Sequence, residues 1–278
     1  MIDKNTFSGK AYRALETLSY KVLGPDRGHY ALVVLLLVGR ELKVKYRGAF
    51  LGYLWSMLNP LAFMTIITFV FSRVVHKVDN YHLYVLSGIL MWTMASNVIV
   101  IGTHSIANSA SLIRKIKMPI WVFPCVPLGA GSVNYLLALV PFFVVSAFSH
   151  NFPGVEVLYL PIVLLLFGIF ICGVAITLSC LNVFFKDVGH VLEPLLTLTF
   201  YMTPIIYDSS KMEMEPWARA ILNLNPFVHF AEAFRGVLLV DRPVTLSNLL
   251  LIFQLALASA VVGGLVYKKA KPKIAFHL

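Results

Sequence analysis

Of the 278 residues, 59% are hydrophobic and only 13% are charged, with a mean hydropathy of +0.81. A soluble domain usually carries about a quarter charged residues, so the long apolar runs here call for hydrocarbon as their solvent. The net charge of +10 would suit nucleic acid, but the basic residues flank apolar runs, and the membrane reading takes precedence.

The first thirty residues mix Lys4, Lys10, Arg13, Lys21 and Arg27 with Asp3, Glu16 and Asp26 and contain no apolar core, so they are not a secretory signal. The run Tyr30 to Val38 is too short to span and meets Arg40-Glu41. Charged and apolar residues then interleave through Arg47, the pattern of a helix half sunk in the membrane interface. Six apolar stretches follow, at about 50–74, 82–104, 119–148, 157–182, 190–207 and 246–267. Each comes close to the roughly 20 residues a spanning helix needs, and continuous apolar runs exclude the alternating pattern of a membrane β-barrel.

The expected fold is all-α: a polytopic membrane protein with six transmembrane helices. Residues 1–49 form a cytoplasmic and interfacial segment, 50–267 the transmembrane domain, and 268–278 a cytoplasmic tail. Segment 208–245 contains two short amphipathic pieces, about 214–224 and 227–240, separated by Asn225-Pro226. Each is too short to cross, so both are expected to re-enter the outer leaflet, with an ordinary extracytoplasmic cap as the alternative. Glu232 and Arg235 mark the polar side of the second piece.

Of the 23 Lys and Arg, 17 fall on the side that holds both termini, the 105–118 loop and the 183–189 loop. The positive-inside rule puts that side in the cytoplasm, and an even number of spans agrees. These cations can also attract anionic lipid headgroups.

Enzymatic chemistry finds no support in the sequence. The Gly-Lys pair Gly9-Lys10 is followed by Ala11, so no phosphate-binding loop is formed, and the eight histidines and three cysteines show no metal-ligand spacing. Cys125, Cys172 and Cys180 are scattered through the spans and read as packing residues. The spans are almost free of charge. Glu193, followed by Pro194, reads either as a gate near the cytoplasmic mouth or as a carboxylate favoured by a helix N-terminus. Energy for any transport therefore comes from outside the chain. Gly129 with Gly131 and Ser132, Gly168 with Gly173, and Gly263 with Gly264 permit close helix approach. Trp55, Tyr201 and Tyr207 lie beside Pro60 and Pro204 and read either as rings stacking on a sugar path or as interfacial aromatics.

Four stretches resemble the polysaccharide and O-antigen branch of the type 2 ABC exporter permeases. They are Arg47–Leu61 with its Leu51-Gly52-Tyr53-Leu54-Trp55 core, Leu112–Pro119, Phe184–Val188, and Asn225-Pro226 with Ala233-Phe234-Arg235. They fall in order along nearly the whole chain. The resemblance implies a bacterial inner-membrane homodimer bound to two copies of a separate ATPase subunit, which would bind ATP and Mg. ATPase docking would fall on the 40–47 and 108–117 regions, with Glu41, Arg114, Lys115 and Lys117 as contacts. The implied cargo is a glycan on an undecaprenyl pyrophosphate carrier, its head met by Arg40, Lys43, Lys45 and Arg47. A drug or small-lipid exporter, a capsule or teichoic acid exporter, and a non-transporting scaffold are the competing readings.

Overall fold

In hydrocarbon every backbone N–H and C=O must be satisfied within the chain, and all regular structure among the described residues is helical. The computed structural model describes residues 25–72, 78, 80–114, 118–240 and 242–277. The first 24 residues, Lys115 and Lys117 lie outside the described residues.

Helix α1 (Pro25–Lys45) runs unbroken through Arg40-Glu41, in keeping with the interleaved pattern of that stretch. It turns Leu32, Val38 and Leu42 inward. A 3-10 turn (Gly52–Leu54) leads into α2 (Trp55–Phe71), and α3 (Tyr81–Asn108) returns. A one-turn helix, α4 (Ala110–Ile113), precedes α5 (Val122–Phe148). A second 3-10 turn (Val155–Tyr159) opens α6 (Leu160–Phe184). Then come α7 (Asp187–Met202), α8 (Pro216–Leu224), α9 (Pro226–Leu238) and α10 (Leu246–His277).

Five of these segments are long and apolar enough to cross a membrane: Gly52–Phe71, Tyr81–Asn108, Val122–Phe148, Val155–Phe184 and Leu246–Ile274. The stretch expected at 190–207 differs. Its helix has 16 residues and ends at Met202, a rise of about 24 Å against a hydrocarbon thickness of about 30 Å. Pro204 is the cause: it lacks an N–H and disfavours helical geometry at the residue before it, and Thr203 is extended at φ −96°, ψ 129°. The last helix runs ten residues past the expected 267, through Pro272. The third starts at Val122 rather than at Pro119.

The central helix is α3, in which every residue from Leu83 to Met91 is buried. Burial reaches 67% of its most apolar window, against 6% in the first span. A helix enclosed all round is a core helix, whereas α2 is peripheral. Around α3 stand α5, α6 and α9. An aromatic series joins them: Trp92 meets Phe227, Phe227 meets Phe170, Phe170 meets Phe230, and Phe234 meets Tyr135, at centroid distances of 4.9–5.5 Å.

Asn225-Pro226 separates α8 from α9 as expected, with a clear local cause. Pro226 occupies the first helical position, where its missing N–H is harmless. The Asn225 side chain accepts from the Phe227 N–H at 3.0 Å and donates to Thr203 Oγ1 at 2.9 Å. From Phe227 onward α9 is buried wherever it faces the bundle, while α8 buries nothing and exposes Trp217, Ile221 and Leu224. Cys125 and Cys172, far apart in sequence, come together with their sulfurs 2.9 Å apart across α5 and α6.

Candidate functional site

Two polar regions interrupt the apolar bundle. The first lies where the end of α1 meets α2, α3 and α5. Val38 packs so closely on Gly129 that a Cβ there would lie 2.6 Å from its methyl group. Further along, the Tyr46 hydroxyl donates to Asn134 Oδ1 at 2.8 Å. These contacts hold the end of α1 against α5 and enclose a cavity of about 260 Å³. Amides line it from three helices: Asn59 on α2, Asn97 on α3 and Asn134 on α5. Ser56, Thr93 and Tyr46 add hydroxyl-bearing side chains, and Lys45, Trp55 and Tyr135 complete the lining. Tyr135 is 2% exposed, and its hydroxyl has no hydrogen-bond partner among the described residues.

A groove of about 250 Å³ lies on the other side of α1. Arg40, Glu41, Ser105, Asn108 and Leu112 line it together with Phe123. The four cations Arg40, Lys43, Lys45 and Arg47 therefore do not converge on one point. Arg40 faces the groove with Glu41, Lys45 faces the cavity with Trp55, and Lys43 and Arg47 are exposed. Arg114 is exposed just after α4. Glu193 is exposed at the seventh position of α7, past the first turn, so the helix N-terminus does not account for it.

The second polar region is built on the unwound segment after α7. Its carbonyls point at side chains rather than at a next helical turn. Tyr81 Oη donates to the Ile206 carbonyl at 2.7 Å, and Tyr84 Oη reaches those of Pro204 and Tyr207 at 3.1 and 2.9 Å. Arg235, only 1% exposed, donates to the Pro204 carbonyl at 2.6 Å, and its guanidinium carbon lies 3.6 Å from the centre of the Tyr84 ring. Arg242 covers the same ring at 5.0 Å and pairs with Asp208. Arg235, expected as a polar mark on an amphipathic helix, is thus the anchor of a buried network, while Glu232 three residues earlier is exposed. Tyr201 and Tyr207 sit here as well: Tyr201 is exposed, and the Tyr207 hydroxyl donates to its carbonyl at 3.2 Å. Trp55 belongs to the first region, so the structure divides the three aromatic residues expected along one path.

Asp208 supplies a pH dependence. Burial pushes its carboxyl up, but hydrogen bonds from Ser210 and Arg242 outweigh burial and hold it below the ordinary carboxylate range. The folded value is therefore the lower one. Its stabilising contribution is complete above the unfolded carboxylate value of about 3.9 and is lost as pH falls through the folded value. Asp208→Asn should be less stable than wild type at neutral pH and converge with it in acid, as read by thermal unfolding of the detergent-solubilised protein across a pH series. Parallel curves would show that Asp208 contributes nothing.

Neither the amide cavity nor the burial of Arg235 was anticipated from sequence. The signal for the cavity was present, because neutral amides recur at 59, 97 and 134 in spans that are otherwise apolar.

The described residues form a helical membrane bundle with a cationic first helix and a broken segment after α7, and comparison with known proteins agrees. Residues 33–239 match the family model described as ABC-2 type transporter. The O-antigen export system permease protein RfbA of Myxococcus xanthus is 30% identical over 214 residues, covering 77% of this chain and 82% of that protein. A protein of the same name from Klebsiella pneumoniae is 27% identical over 252 residues, 89% of this chain and 95% of its own. The polysialic acid transport protein KpsM of Escherichia coli is 22% identical over 237 residues, 82% and 90% of the two chains. With three quarters of its length inside the matched region and relatives that align over 77–89% of it, the chain belongs to the ABC-2 type transporter family.

Proposed function

We propose that this chain is the permease subunit of an ABC exporter that carries undecaprenyl-pyrophosphate-linked polysaccharide, an O-antigen or related surface glycan, from the cytoplasmic to the outer side of the bacterial inner membrane. The observation that carries the reading is the junction of α1 with the bundle, where the cationic end of an interfacial helix meets an amide-lined cavity. Ammonium and guanidinium groups suit a pyrophosphate, and amides suit the hydroxyls of a sugar. The relatives named for O-antigen and polysialic acid transport support the same cargo class.

Two copies of the chain form the path, along α2 and α7. Support comes from α7, which buries only Leu192 and leaves Glu193 exposed, a group ill-suited to a lipid-facing surface. The weakly buried α2 fits the same role. α7, with the unwound segment after it, makes the sixth crossing and returns the C-terminus to the cytoplasm, as the charge distribution requires. A separate ATPase, binding ATP and Mg, docks on the groove between α1 and α4, with Glu41 and Arg114 at hand. Its cycle rocks the two copies between closed and open states.

The test is the location of carrier-linked polymer after gene deletion, followed by complementation. Wild type should restore surface polymer, whereas a Lys45→Ala, Arg47→Ala double variant that still assembles with the ATPase should export at least tenfold less. Unchanged surface polymer in the deletion would sink the glycan reading. A second reading, export of a small lipid or drug, is favoured by the apolar groove of about 740 Å³ that Leu128, Leu136, Leu164, Gly168, Ile169 and Tyr267 line between α5, α6 and α10. It predicts ATPase stimulation by hydrophobic compounds.

A further inference from the structure

The apolar groove between α5, α6 and α10 has two unlike ends. Leu160 and Pro161 line one of them, and Trp121 and Tyr267 line the other. Between these ends the lining follows α6 from Leu160 to Ile176, a rise of about 24 Å. The hydrocarbon layer is about 30 Å thick, so the groove is long enough for an acyl chain that enters at headgroup level and passes the midplane. Its volume of about 740 Å³ lies within the roughly 300–1,000 Å³ of ligand pockets. Gly264 borders open space there, since a Cβ would meet nothing within 4 Å.

The end marked by Trp121 and Tyr267 carries charge in register with the groove. Ala260, Gly264 and Tyr267 give one face of α10 to the lining. At about 100° per residue, the next positions on that face are Lys268 and Lys271. Both are exposed, and neither has an ion-pair partner among the described residues. Lys269 and Lys273 fall on other sides of the helix. No Asp or Glu occurs from Arg242 to Leu278, so no carboxylate on α10 neutralises the pair. The basic bias of one membrane side explains a lysine cluster, but not its alignment with an apolar groove. Trp121 and Tyr267 have amphipathic rings of the kind that settle at headgroup level.

This distribution narrows the occupant. A glycan does not suit an apolar lining, and a helix from another protein has no use for two ammonium groups at one end. An amphiphile with a long chain and an anionic head uses both. We infer that the groove holds a resident anionic diacyl phospholipid, one chain lying along Leu136, Leu164, Gly168 and Gly264 and the phosphodiester head on Lys268 and Lys271. The lipid is a bound component and not cargo, because the proposed path follows α2 and α7 instead.

The test places the full chain in phosphatidylcholine nanodiscs doped with brominated-chain phosphatidylglycerol or brominated-chain phosphatidylcholine. Bromine quenches tryptophan on contact, and the Trp121 signal is the difference between wild type and Trp121→Phe. In wild type, phosphatidylglycerol should quench that signal at a mole fraction about tenfold lower than phosphatidylcholine does. The double variant Lys268→Gln, Lys271→Gln should abolish the preference, whereas Lys269→Gln, Lys273→Gln, which removes the same charge, should keep it. Gly264→Leu fills the groove and should lose the preference while unfolding like wild type. Equal quenching by the two lipids in wild type would overturn the site, as the mark of ordinary boundary lipid. Equal losses for the two lysine pairs would overturn it as diffuse surface attraction. A preference that survives Gly264→Leu would remove the groove from the assignment. Failure of both lipids to reach Trp121 would show the groove covered by protein, such as a second copy. None of these results bears on the export reading, which rests on other helices.

Discussion

Arg235→Met is expected to destabilise the fold by about 3 kcal/mol. The side chain is 1% exposed and donates to the Pro204 and Ile205 carbonyls at 2.6 and 3.4 Å, with its guanidinium against the Tyr84 ring. Loss of a hydrogen bond to a charged group costs about 1.5–3 kcal/mol, and a desolvated cation–π contact adds about 2 kcal/mol. Against this, methionine relieves the desolvation of a buried charge, and replacing buried ions by apolar groups is sometimes stabilising. The balance turns on the acceptors. They are backbone carbonyls of a segment that Thr203 and Pro204 have removed from the helix, so they stay buried and polar when the arginine is gone. Tyr84 keeps hold of Pro204 and Tyr207, but its hydroxyl makes no bond to Ile205. A net loss of about 3 kcal/mol follows, a large share of the roughly 5–15 kcal/mol that holds a typical domain folded. Arg235→Lys should recover only part of it, since an ammonium lacks the planar fork that serves carbonyl and ring together. Yield and thermal unfolding of the detergent-solubilised protein are the measurements. A wild-type midpoint for Arg235→Met would show that the network is ornamental.

That arginine also marks how far the sequence can be read. The two short helices after the fifth apolar stretch were legible because Asn225-Pro226 is a local signal and because each piece carries its own periodicity. Burial of Arg235 was not legible, since its partners lie some thirty residues upstream and became acceptors only when Pro204 broke a helix that hydropathy extends to 207. The spans of α2, α3, α5, α6 and α10 emerged from apolar length alone. Lys45 and Trp55 were both identified as binding residues, but periodicity cannot show that a turn between two helices brings them to one cavity while sending Arg40 elsewhere. The amides at 59, 97 and 134 passed unremarked for a different reason. A search for costly intramembrane groups naturally weighs charges, and a neutral amide becomes informative only when several from separate helices meet.

The same limit applies to the small residues, where sequence offered three sets as equals and the structure ranks the members of the last two. A Cβ at Gly173 would lie 2.5 Å from both the backbone and the hydroxyl oxygen of Ser259, and one at Gly263 would lie 2.8 Å from the Gly173 carbonyl oxygen. Helices α6 and α10 touch there backbone to backbone, and Ser259 Oγ donates across the contact to the Phe170 carbonyl at 2.7 Å. Gly168 meets only ordinary contacts at 3.4 Å, and Gly264 has nothing within 4 Å. Gly173→Leu must therefore push two helices apart, because the obstructing atoms include backbone that has no rotamer to escape into. Overpacking costs about 1–3 kcal/mol when side chains can adjust, so the upper end of that range applies, with loss of the Ser259 bond added. Gly264→Leu, on the same helix and one residue from the contact, should unfold like wild type. The pair is best read side by side in thermal unfolding and in protease access to the segment after Tyr267, which α10 carries. A sharp loss for Gly173→Leu with none for Gly264→Leu locates the seam between these helices at one face. Equal losses would mean that helix propensity, and not close approach, governs both positions.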